Sequence, residues 1–135
     1  MVMPSDVNDD LLKPESWSFS EQRTFVPAAT EIEDLPATAM TIEGTVTKAP
    51  DGRLLDIMRF EKFEYALAYE IDTQNHEAPL KYSHLIHFEA NRAKFMIKYD
   101  SVRGKYYSVA SRLYDNSNPD TRNLLSLMVS ENLDD

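Results

Sequence analysis

The chain has 135 residues, 42% of them hydrophobic and 27% charged, enough for one domain with a real core. Its 14 basic and 23 acidic residues leave a formal net charge of -9. That argues against a nonspecific nucleic-acid binder, which needs clustered Lys and Arg, but leaves room for a local basic pocket that holds a small anion. The absence of cysteine excludes a disulfide framework and thiolate chemistry, and no apolar run approaches the roughly 20 residues that span a bilayer.

Residues 1–16 are polar, contain Pro4 and Pro14, and read as an irregular N-terminal arm with one short helical turn around residues 9–12. The first ten residues have neither the basic region nor the apolar core of a signal peptide, and the compartment stays open. Residues 17–135 read as a single β-rich domain. Trp17-Ser-Phe-Ser20 alternates and predicts a strand over 17–26. Residues 27–39, with Pro27, Pro36 and three acidic side chains, predict a long loop.

A set of four strands follows. Residues 40–48 are rich in β-branched side chains. Ala49-Pro-Asp-Gly52 is a turn in which Pro50 presets φ and Gly52 tolerates positive φ, so residues 53–60 form the second arm of a hairpin. Residues 64–71 place Tyr65, Leu67, Tyr69 and Ile71 on one face, and residues 80–88 complete the set.

The pattern then restarts. Residues 93–100 put Phe95, Ile97 and Tyr99 on one face and Lys94, Met96 and Lys98 on the other. Ser101-Val-Arg-Gly104 is a tight turn, and strands are expected at 105–112 and 122–130, joined by a polar loop at 115–120. Leu54 and Leu55, Ile57 and Met58, Leu124 and Leu125, and Leu127 and Met128 place apolar groups on both faces, unlike a sheet wet on one side. The expected class is all-β: a partial β-propeller of about two four-stranded antiparallel blades, the first over about 40–90 and an incomplete second over about 91–135. A β-sandwich is the alternative. The second set lacks a fourth strand, so the chain reads as part of a repeated-sheet architecture cut short. Residues 122–130 should then present an unpaired edge that invites self-association.

In order along the chain stand Asp10-Leu-Leu-Lys-Pro-Glu-Ser-Trp17, Glu43-Gly-Thr-Val46 with Pro50-Asp-Gly-Arg-Leu54, Lys94-Phe-Met-Ile-Lys-Tyr-Asp100 with Gly104-Lys-Tyr-Tyr107, and Arg122-Asn-Leu-Leu-Ser-Leu with Ser130-Glu-Asn-Leu-Asp134. This series resembles the bacterial sialidase-like group, whose proteins carry BNR-type repeats and fold as β-propellers. The likeness covers residues 10–135, about two blades of a ring of five or six. It departs from the family at the repeat signature Ser-x-Asp-x-Gly-x-Thr-Trp, because Ser130-Glu-Asn-Leu-Asp-Asp135 has no glycine and no tryptophan.

The resemblance implies a fragment of a glycoside hydrolase acting on terminal sugars, inactive alone because the family's site draws on many blades. The alternative is a non-catalytic module that binds glycan or protein. The expected ligand is a glycan or small anionic sugar, with no cofactor and neither nucleic acid nor membrane as partner. In a propeller the first strand of each blade lines the central channel. That places Glu43 as the catalytic candidate, with Arg59, Lys94, Arg112 and Arg122 as substrate-binding candidates. Glycan hydrolysis uses a carboxylic acid on the leaving oxygen and a second group against the cationic sugar, and guanidinium groups clamp a sugar carboxylate.

Blander roles stand beside these. Arg59 has Glu61 and Glu64 nearby in sequence, Lys94 and Lys98 suit a solvated edge, and Arg122-Asn123 could fix the preceding loop. Tyr65, Tyr69, Tyr99, Tyr106 and Tyr107 suit either sugar stacking or packing between sheets. His84 and His87, three apart on a strand, point to opposite faces, so no metal site is expected there.

Overall fold

In a computed structural model, the described residues are 2–4, 8–21, 41–60, 64–90, 93–112, 114 and 121–134. The predicted loops at 27–39 and 115–120 lie outside them. The protein is all-β. Its strands are β1 (Val2–Pro4), β2 (Trp17–Phe19), β3 (Thr41–Lys48), β4 (Leu54–Phe60), β5 (Tyr65–Glu70), β6 (Lys81–His87), β7 (Ile97–Asp100), β8 (Lys105–Ser111) and β9 (Leu125–Ser130). They form a two-stranded sheet β1-β2, a four-stranded sheet β3-β4-β5-β6 and a three-stranded sheet β7-β8-β9. All pairings are antiparallel between chain neighbours, and neither large sheet closes on itself.

The two predicted sets of strands are these two sheets. Local chemistry explains the turns within them. Asp51 Oδ1 accepts the Arg53 N–H at 3.0 Å, and Gly52 takes φ 94° where a side chain would be strained. Asp100 repeats the device, accepting the Val102 N–H at 2.9 Å before Gly104 at φ 66°.

Three expectations need correction. The N-terminal arm is not wholly irregular: Val2 faces Phe19 and Pro4 faces Trp17 in an antiparallel pair, with a 3-10 turn at Pro14–Ser16 leading into β2. A three-residue strand is too short to show a period, and Pro4, lacking an N–H, is tolerated at an edge. The strand expected over 17–26 is seen only as Trp17–Phe19, and residues 22–26 fall outside the description. The strand expected over 93–100 pairs only from Ile97; residues 93–96 form no ladder, and Phe95 packs on Phe88 at 4.6 Å.

The four-stranded sheet buries both faces. Leu55, Ile57, Ala66, Ala68 and Ile86 lie on one, and Phe60, Leu67 and Tyr69 on the other. The first face packs against Ile97 and Tyr106 of the three-stranded sheet, with Leu133 in the same cluster. The first strands of the two sheets, β3 and β7, lie side by side. Neighbouring propeller blades and an open β-sandwich share this arrangement.

The expectation of two covered faces fails for the smaller sheet. Tyr106, Ser108 and Ala110 are buried, whereas Leu125, Leu127, Val129 and Val109 are exposed on its outer face.

Candidate ligand-binding cleft

Three sequence candidates meet where β3 passes the segment leading into β7. Glu43 Oε1 lies 3.0 Å from Lys94 Nζ, and Glu43 Oε2 lies 3.5 Å from Arg59 Nη2. In the register set by the Gly44–Met58 pair, Glu43 falls opposite Arg59 on the same face, beside a register shift between Thr41 and Gly44. Arg59 is therefore held by Glu43 across the strand pair. Its guanidinium is mostly buried, and its Nε has no hydrogen-bond partner among the described residues.

The Lys94 ammonium, a backbone N–H and the Arg59 charge together hold the Glu43 carboxyl below its ordinary range. A carboxyl that stays ionised can pair charge or attack, but has no proton to donate to a leaving oxygen at neutral pH. Among the described residues, this ion-pair cluster contains a single carboxylate.

Arg112 stands elsewhere. Its backbone bridges Ala90, and its N–H donates to Leu124 O at 2.9 Å. Its guanidinium meets Glu89 Oε2 at 2.6 Å, with both side chains about half exposed. Arg122 lies exposed just before β9 and does not line the cleft described next.

Between the two sheets opens a cleft of about 330 Å³. Its floor is apolar, made by Ile57, Ile86, Ile97 and Met128. Glu89 and Arg112 stand among its lining residues, and so does the buried Ser108, whose Oγ has no hydrogen-bond partner among the described residues. That oxygen is closed off from solvent, so the charged groups the cleft presents are those of Glu89 and Arg112. Sequence reasoning selected Arg112 but not Ser108 or the cleft. A serine in Lys105-Tyr-Tyr-Ser-Val-Ala-Ser111 has no local signal, and its burial comes from the other sheet.

The remaining candidates have packing roles or separate sites. Tyr106 donates its O–H to Lys48 O at 2.6 Å, tying the small sheet to the large one. Tyr69 stacks edge-on against Tyr82 at 6.0 Å. His84 Nε2 contacts Leu133 O at 3.2 Å, while His87 stacks on Tyr65 at 5.9 Å, so the two imidazoles do not converge. A broad hollow at the far end of the large sheet carries Arg53, but Asp51 and Glu70 already neutralise it at 2.6 Å and 3.6 Å. No protein family, curated protein or solved structure matches this chain.

Proposed function

We propose that this protein is a non-catalytic binding module whose cleft between sheets takes a small anionic ligand of sugar-like size and polarity. One observation carries the reading: an arginine about half exposed, Arg112, lines an apolar cleft between the two sheets. At about 330 Å³ the cleft sits at the small end of ligand pockets, roughly 300–1,000 Å³. A ligand ring would cover the aliphatic floor, and its carboxylate would displace Glu89 from Arg112 as a bidentate partner.

The likeness to sialidase-like propellers suggests a terminal sugar that bears a carboxylate. It also supports a second reading, a fragment of a glycoside hydrolase centred on Glu43, Arg59 and Lys94, because these three gather beside the first strands of both sheets. Among the described residues the cluster has one carboxylate, and its cations favour the ionised form, which suits binding better than acid-assisted hydrolysis.

Calorimetric titration with free sialic acid and with its methyl ester tests the proposal. Binding of the acid, weakened about tenfold or more by Arg112→Ala and by the ester, fits loss of a charge-assisted pair worth about 1.5–3 kcal/mol. Absence of binding by the wild type would refute it. Release of fluorophore from a fluorogenic sialoside, abolished by Glu43→Gln, would establish the hydrolase reading instead.

A further inference from the structure

Among the described residues, the large sheets have four edge strands, and three carry the devices that prevent pairing with another chain. β3 has a bulge, Glu43 and Lys48. β6 has Lys81, His84 and His87. β7 is four residues long and contains Lys98 and Asp100. β9, Leu125-Ser-Leu-Met-Val-Ser130, has no charge, proline, glycine or bulge over six residues. Its side chains Leu125, Leu127 and Val129 are 78%, 65% and 51% exposed.

The backbone of β9 can be oriented from its partner. Arg112 N–H donates to Leu124 O, so the in-register residues Ser126, Met128 and Ser130 turn their N–H and C=O groups toward β8. Leu125, Leu127 and Val129 therefore turn theirs outward, away from the sheet. The residues with outward backbone groups are also those with exposed aliphatic side chains.

We propose that a second copy of this chain pairs antiparallel with β9 about a two-fold axis at Leu127. In that register Leu127 faces itself and Leu125 faces Val129 of the copy, so all three outward residues exchange backbone hydrogen bonds. Each exposed aliphatic side chain gains an aliphatic cross-strand neighbour. Opposite charges flank the strand, Arg122 before it and, after it, Glu131, which also pairs with Lys105 Nζ at 3.1 Å within the chain. Antiparallel pairing brings the Arg122 end of one copy beside the Glu131 end of the other. A symmetric interface of this kind is self-complementary and closes at two copies. The occupant is thus a copy of the same chain, and the joined sheet has six strands.

Analytical ultracentrifugation of the full chain over a wide concentration range tests this. The expected result is a monomer–dimer equilibrium whose dissociation constant rises about tenfold or more in Leu127→Lys, since an ammonium would be left facing its own copy. Val109→Lys places the same charge on the same outer face but on β8, away from the edge, and should leave the dimer intact. Mild oxidation of Leu127→Cys should give a covalent dimer, because a hydrogen-bonded antiparallel pair holds Cα atoms about 5.5 Å apart, within disulfide reach. Val109→Cys should not cross-link. A monomer at every concentration would overturn the proposal. So would equal loss of dimer in Val109→Lys, or equal cross-linking of the two cysteine variants, since either means that faces stack rather than edges pair.

Discussion

Gly44 and Asp56 form a fitted pair on the outer face of the large sheet. A Cβ at Gly44 would collide with the Asp56 carboxylate and lie 3.1 Å from Ile57 O. The glycine clears room for that carboxylate; its φ is not positive, so conformational freedom is not the reason. Gly44→Ala should destabilise by about 1–3 kcal/mol through overpacking, read as a lower urea midpoint with an unchanged slope.

Asp56 itself is buried opposite Tyr69, and desolvation raises its pKa. The same setting, together with the Asp56 charge, pushes the Tyr69 phenol up to about 12. The folded state therefore keeps the Asp56 proton to a higher pH than the unfolded state does. Stability is lost as pH rises from the ordinary carboxylate range through the raised value. Asp56→Asn should stabilise at pH 7, because a neutral amide replaces a desolvated charge, with the gain fading toward pH 4. Denaturant titrations of both proteins across that range check it. A gain independent of pH would mean that the charge is not the cause.

At the scale of elements, two of the contacts that join the sheets can be tested singly. Tyr106 is buried, and its hydroxyl bonds Lys48 O at the end of β3. Tyr106→Phe should cost about 1 kcal/mol, the net worth of one hydrogen bond, in thermal or urea unfolding. The segment after β9 supplies the second contact. Ser130 Oγ accepts the Leu133 N–H at 2.9 Å, and Asn132 Oδ1 accepts the Asp134 N–H at 3.0 Å, making a tight turn that drives Leu133 into the core at φ 71°. Leu133→Ala should cost about 2–4 kcal/mol as a cavity opens beside Ile97 and Tyr106, measured as a fall in urea midpoint. In sequence this turn reads as a degenerate repeat signature, yet its serine and asparagine show why the turn still forms. Strand existence in β3 to β9 was legible from β-branched runs and Asp-Gly or Arg-Gly turns. Strand ends were not, because residues 93–96 have the right alternation but no partner strand beside them.

For the molecule as a whole, acid stability follows from the sign of its carboxylate shifts. Glu43, Asp51, Asp72 and Asp100 are all held below their ordinary range, by Lys94, by backbone N–H groups of Arg53 and Gln74, and by Arg103 respectively. Their stabilisation is fully present above the unfolded carboxylate range and is lost as pH falls through the lowered folded values. Asp56 acts in the opposite sense but is a single group. The thermal midpoint should therefore fall as pH drops from about 5 to 3, in the range where unfolded carboxylates take up protons. Calorimetry at several pH values checks this, and a midpoint that holds or rises would show that Asp56 outweighs the four.

What the sequence by itself determined is local: antiparallel meanders of four and three strands, and the side chains available at their turns. Period-two alternation and turn chemistry act between residues close along the chain, so a single sequence carries them. The gathering of Glu43 with Arg59 and Lys94 was half-legible, since strand order placed Glu43 and Lys94 on first strands. Tertiary structure alone decided the cleft with its orphan Ser108 hydroxyl, the Arg112–Glu89 pair and the bare outer face of β9. Each depends on which sheet face meets another. The apolar residues of β9 look the same in sequence whether that face is covered or open to water.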